Sequence, residues 1–306
     1  MLMINKNKRF DNFKNSIYKY RWSYVFLLPT LIVYGMFILW PILASVYYSF
    51  FQWDGFSAWP NYWIGLRNYI DILNDKYFWN AFGNTLKYVF WQNLIKLPLS
   101  LFIAWVLNNP KLKGSNFYRA LFFLPVVSST AIIGVVMTFM LAPWNGPVNA
   151  LLNTVGIGTI DFLGKASTAL WAVIFVEVWH MSGQYIIYWL AGLQGIPSEL
   201  YEAAEVDGAN GWQTFSKITV PALKPIIIIV TLLGIVNSLK VFDIVVAMTG
   251  GGPSFSTEVV TTFIYGHAFG TSIAKIGYAS AAAVLFGLIV MSFGIIQFFI
   301  VKRVRD

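Results

Sequence analysis

The sequence predicts an all-α membrane protein with six transmembrane helices. Of its 306 residues, 58% are apolar and only 11% charged, against roughly half and a quarter in soluble domains. Apolar runs that meet the ~20 residues needed to cross a bilayer core recur along the chain. Most basic residues fall between these runs, as expected when a charge at the bilayer centre costs on the order of 3 kcal/mol.

The first run, 22–48, follows a basic segment containing Lys6, Lys8, Arg9, Lys14, Lys19 and Arg21. It is longer than the roughly 7 to 15 residues of a secretory signal core, and aromatics (Tyr47, Tyr48, Phe50, Phe51) follow it instead of a small-residue cleavage site, so it reads as a retained helix. The other runs are 86–107, 120–141, 170–193, 226–248 and 276–301. They divide the chain into an N-terminal segment 1–21, a helical domain 22–301 and a tail 302–306. Lys111, Lys113, Arg119, Lys217, Lys224, Lys302, Arg303 and Arg305 fall on the side of the basic N-terminus, whereas the opposite loops hold only Arg67, Lys76, Lys165 and Lys275. The excess of positive charge on the inner side of membranes then predicts both termini in the cytoplasm.

Several functions are excluded. The net charge of +8 flanks apolar runs instead of forming one patch, which sets nucleic acid aside. There is no cysteine, so disulfides, thiolate metal sites and cysteine nucleophiles are absent. His180 and His267 are the only histidines and lie on different segments, which argues against a His-based metal site or triad. Gly164 Lys165 lacks the following Ser or Thr of a phosphate loop, and Gly250 to Pro253 lacks the lysine and helix start, so it reads as a turn.

Between the fourth and fifth runs lies a polar, patterned stretch, 195–221. Pro197 suits the first turn of a helix, Glu199 sits where the helix dipole favours a carboxylate, and Gly208 can adopt the left-handed conformation that ends it. On this helix Leu200, Ala203 and Ala204 share one face, and Glu199, Glu202 and Glu205 line another. After Gly208 a second helical piece runs through Trp212, Phe215 and Ile218 and closes at Pro221. This bracket is either an amphipathic helix resting on lipid or a docking element for a cationic partner. Surface helices are normally rich in Lys and Arg, which weighs against the first reading.

The run Glu202 Ala203 Ala204 with Asp207 Gly208 Ala209, then Phe215, Ile218 and Pro221, resembles the EAA signature of permease subunits in binding-protein-dependent ABC importers. A second block is similar to the carbohydrate branch of that family, the maltose, glycerol-3-phosphate and multiple-sugar type: Phe242 Asp243, Thr249 to Pro253 and Thr257 Glu258 Val259. Gly65 Leu66 Arg67 Asn68 Tyr69, Asn84 Thr85 Leu86 and Phe123 Leu124 Pro125 match upstream. The first external loop, about 50–83, is too short for the inserted domain of some maltose-type members, so the chain looks more like the smaller multiple-sugar permeases.

The resemblance implies a type I ABC importer permease fold in a bacterial inner membrane. It also implies a second homologous permease forming a heterodimer, a pair of ATPase subunits that bind the ATP and Mg, and an extracytoplasmic solute-binding protein delivering a carbohydrate. No catalytic residue, cofactor or metal would belong to this chain. Glu202, Ala203, Ala204, Asp207 and Gly208 would be the contact with the ATPase.

Within the spans, Glu177, His180 and Gln184 form a polar stripe at helical spacing on an otherwise apolar helix, facing either a cavity or another helix. Aligned with maltose-type permeases they fall at sugar-contacting positions, as do Thr130 and Ser238. Lys87, Lys240 and Asp243 read as residues near span ends, and Lys96 lies deep in its span without an assigned role. The competing classes are an ion-gradient-driven secondary transporter, which would show internal repeats not found here, and a membrane-embedded enzyme, for which no convergent acid, base and nucleophile is present.

Overall fold

The computed structural model describes residues 19–57, 60, 62–109, 112–270 and 274–305, without side chains for 298 and 300–305. The basic residues before Lys19, and Lys111, lie outside this set.

Among the described residues, four helices are long and apolar enough to cross a membrane, and two bent pairs bring the possible total to six. The first helix, α1 (Arg21–Tyr48), contains a wider π turn at Gly35–Leu39. None of its hydropathic window is buried within the chain, and only its C-terminal part, 40–48, packs against the last helix. A pair of short antiparallel strands, β1 (Phe51–Gln52) and β2 (Tyr62–Trp63), follows, with Phe51 opposite Trp63. Next come α2 (Arg67–Leu73) and α3 (Lys76–Leu107). Asp75 caps α3 by accepting from the Tyr77 amide at 2.8 Å, which starts the helix ten residues before the apolar run that announced it at 86.

The expected third span, 120–141, is not a straight helix. It is α4 (Ser115–Val127) and α5 (Thr130–Met140), bent by 96°. Pro125 lies inside the last turn of α4, and Ser128 and Ser129 are extended, so the helical ladder stops there. Beyond α6 (Pro147–Thr154), the helix α7 (Ala166–Gln194) packs alongside α3. The bracket consists of α8 (Ser198–Val206) and α9 (Gly211–Ala222). The expected fifth span, 226–248, ends early as α10 (Lys224–Leu239), which meets α9 at 73°. The chain then breaks at Lys240–Phe242 and resumes as α11 (Asp243–Met248), packed on α5. The last elements are α12 (Val260–Phe269) and α13 (Ile276–Arg305).

Sequence blocks far apart in the chain meet by hydrogen bonds. Asn84 donates to the carbonyls of Phe255 and Glu258 at 3.1 Å each, and the Val260 amide donates to the Thr85 hydroxyl at 3.0 Å. Asn68 donates to the carbonyls of Ser49 and Phe51 at 2.8 and 3.0 Å. The two asparagine side chains satisfy carbonyls that an apolar surrounding would otherwise leave unpaired.

The Glu258 carboxyl, in the connection between α11 and α12, is pushed up to about 7 by burial and secondarily by Asp75. The folded chain therefore holds a proton that the unfolded chain releases above its ordinary value of 4.5. The stability from Glu258 is full below 4.5 and is lost as the pH rises through about 7. Melting of the purified protein should fall across this window, and Glu258→Gln should flatten that dependence. An unchanged pH profile in the variant would contradict the assignment.

Candidate functional site: a rigid bracket and a polar cavity

Pro197, with ψ 135°, is the cap of α8 rather than its first helical residue, and Glu199 falls in the first turn as the dipole argument expects. At the other end Gly208 has φ +73°. Its amide donates to the Glu205 carbonyl at 3.1 Å and the Ala209 amide to the Ala204 carbonyl at 2.9 Å. These two bonds close a left-handed helix cap of the kind that glycine adopts without steric cost.

Asn210 and Gln213 then exchange side-chain and backbone bonds of 2.9 Å each, starting α9. Tyr201 and Thr219 meet at 3.3 Å and tie the two arms together. The Phe215 ring lies 4.8 Å from that of Trp105 near the end of α3, and 5.5 Å from that of Trp212. The second helical piece does not close at Pro221. It continues to Ala222, and the bend falls at the fully buried Leu223.

The bracket is therefore anchored to a membrane helix on one side and open on the other. Of the apolar trio Leu200, Ala203 and Ala204, only Ala204 is buried. Glu202, Ala203, Glu205, Asp207 and Gly208 are exposed, and Val206 is 87% exposed. A Cβ added at Gly208 would meet nothing within 4 Å.

Deeper in the bundle, a cavity of about 200 Å³ is framed by α3, α7, α10 and the Lys240–Phe242 break. Thr130, Glu177, Gln184 and Ser238 all line it, joined by Gln92, Lys96, Tyr185, Asn237, Lys240 and Asp243. The Ser238 hydroxyl is engaged: it donates to the Gly234 carbonyl and accepts from Asn93, both at 2.8 Å. Gln184 donates to the Tyr188 hydroxyl at 2.7 Å.

His180 is not among the lining residues. The His180 ring is 1% exposed, with one nitrogen 3.5 Å from Glu177 and the other 3.3 Å from the carbonyl of Ser128, at the α4–α5 bend. It joins two helices, the other role open to a polar stripe in a membrane.

Sequence reasoning placed Lys240 and Asp243 near the end of a span. The early stop of α10 brings them to the cavity instead. Lys96, Gln92 and Tyr185 had no role assigned from sequence, and the buried position of Lys96 in its span was the signal available for it. A wider groove of about 670 Å³ opens at the other end of the bundle, near Trp53, Asp71 and Lys275, and contains none of the predicted site residues.

Residues 96–306 match the family model described as binding-protein-dependent transport system inner membrane component. The probable ABC transporter permease protein YurN of Bacillus subtilis is 36% identical over 90% of this chain and 94% of its own length. The trehalose/maltose transport system permease protein MalF of Thermococcus litoralis is 32% identical over 97% and 100%. Among solved structures, a chain of a bacterial ABC transporter involved in the import of the acidic polysaccharide alginate superimposes with a TM-score of 0.85. It is 24% identical to this chain over 96% of it and 100% of its own length, a likeness of fold. The broken spans are thus part of the type I importer permease fold, and an ion-gradient-driven carrier is not favoured. The chain belongs to the family of inner membrane components of binding-protein-dependent transport systems, the multi-pass permease subunits of ABC importers.

Proposed function

We propose that this chain forms half of the translocation path of an ATP-driven carbohydrate importer and receives its driving motion through the 195–221 bracket. The observation that carries this is the bracket's combination of rigid anchoring and open face. The Trp105–Phe215 ring contact fixes it to the bundle, and the Tyr201–Thr219 contact holds its two arms together. Glu202, Ala203 and Asp207 remain exposed, acidic and small, suited to a cleft with basic walls.

A separate pair of ATPase subunits binds ATP and Mg and performs the hydrolysis. A second, homologous permease completes the path, and an extracytoplasmic binding protein delivers the solute. The bracket faces the cytoplasm together with both termini, in agreement with the distribution of basic residues. Relatives named for trehalose and maltose support carbohydrate as the solute class. Closure of the ATPase pair would move the bracket, and with it α3 and α10, as one body, converting the cavity between inward and outward access.

The test is ATP hydrolysis by the native complex in the presence of its binding protein. Saccharide-loaded binding protein should stimulate it, whereas stimulation only by amino acids or peptides would overturn the carbohydrate assignment. Gln184→Ala should reduce saccharide uptake by at least about tenfold, the loss of roughly 1.4 kcal/mol. Uptake and selectivity equal to wild type would remove Gln184 from the path.

A further inference from the structure

Lys96 is a cation that neither helix packing nor coupling accounts for. It lies within α3, is 1% exposed and lines the cavity. Its ammonium donates to the Gln92 side-chain oxygen at 3.1 Å and sits 3.8 Å from the centre of the Tyr185 ring. Among the described residues no carboxylate stands within 4.0 Å of it. Glu177 lines the same cavity from α7. Its contact with His180 is 3.5 Å, long for a charge-assisted bond, and it makes no other hydrogen bond among the described residues.

Two opposite charges that share a membrane cavity without touching are an expensive arrangement, since each ion gives up hydration worth several kcal/mol. Gln92 and the Tyr185 face hold the ammonium on its own side and, of its three N–H donors, leave one for a solute in the cavity that Lys96 lines.

We propose that Lys96 and Glu177 are a split ion pair that the solute closes, and that the solute is a neutral polyhydroxyl compound. The inference rests on the importer reading above. A hydroxyl suits the gap because it accepts from the ammonium while donating to the carboxylate. A neutral solute suits the wall because Lys96 and Lys240 are matched by Glu177 and Asp243. A carboxylated saccharide would add an unmatched negative charge in a setting of low dielectric. Lys96 then determines specificity from a helix that carries no other predicted site residue.

The test uses the complete importer in proteoliposomes with its binding protein. Uptake of a panel of neutral mono- to trisaccharides is compared with uptake of their uronate counterparts, for wild type, Lys96→Gln, Glu177→Gln and the double variant. Wild type should import neutral members in preference to uronates. Each single variant should lose at least about tenfold of that uptake. Glu177→Gln should shift selectivity towards uronates, because Lys96 is left unmatched. The double variant should regain part of the neutral uptake lost by the singles.

The Glu177→Gln selectivity shift decides the matter even if Lys96→Gln does not reach the membrane. Import of uronates in preference to neutral sugars by wild type would overturn the split pair and leave the importer reading intact. Wild-type uptake by Lys96→Gln, or an equal loss of all sugars in every variant with selectivity unchanged, would also overturn it. Import of no saccharide by wild type would count against the importer reading itself.

Discussion

Reversal of charge at Glu202, or a tryptophan at Gly208, should stop ATP-driven uptake while leaving the protein in the membrane at normal levels. The two variants act by different physical routes. Glu202 is exposed and makes no ion pair or side-chain hydrogen bond among the described residues, so Glu202→Arg should leave the chain stable and sets like charge against a basic partner. Mismatches of that kind cost several kcal/mol, a loss of about a hundredfold or more in coupling. Gly208 has φ +73°, so any side chain there costs roughly 1–2 kcal/mol of backbone strain. The space around it within this chain is empty. Gly208→Ala should therefore weaken coupling modestly and Gly208→Trp abolish it, a dependence on size that strain alone does not produce. ATP-dependent solute uptake, normalised to the protein in the membrane, reads both. Normal uptake by Glu202→Arg together with Gly208→Trp would contradict the docking role.

A leucine at Gly183 should disturb the fold itself. Gly183 lies where α7 crosses α4 so closely that an added Cβ would collide with the backbone of Phe122 and Phe123. Backbone cannot move aside as a flexible side chain can, and overpacking of this kind costs about 1–3 kcal/mol. One residue turn away, His180 holds the Ser128 carbonyl at 3.3 Å, so separating the helices also releases the α4–α5 bend behind Thr130. Gly183→Leu should lower the melting temperature of the purified protein by several degrees and reduce uptake, with Gly183→Ala intermediate. Wild-type melting in Gly183→Leu would show that the two helices are not in close contact.

The helical membrane architecture and the bracket were legible in the sequence because their signals are local. Apolar length announces a span, and an acid in the first turn with a glycine after the last one brackets α8. The broken spans were not legible, because hydropathy measures apolar content and is blind to direction. Residues 120–141 and 226–248 are predominantly apolar, yet the chain turns at Ser128–Ser129 and at Lys240–Phe242. Pro125 marked the first break. The second had the pair Lys240 and Asp243 inside an apolar run, which reads as a span end until α11 is seen packing back on α5. The placement of His180 depended on the same bend, since its partner carbonyl belongs to Ser128, 52 residues away in sequence. Lys96 showed itself as a buried charge, and only the packing of α3 along α7 supplied Tyr185 and Glu177 as its surroundings.

The chain has no cysteine, so one introduced at Val206, 87% exposed on the bracket, is a unique attachment point. A short thiol-directed photocrosslinker placed there in the assembled importer should capture a nucleotide-hydrolysing subunit, with a yield that changes between nucleotide-free and ATP-bound states. Capture of lipid alone, or of no ATPase in either state, would contradict the coupling role on which the account rests.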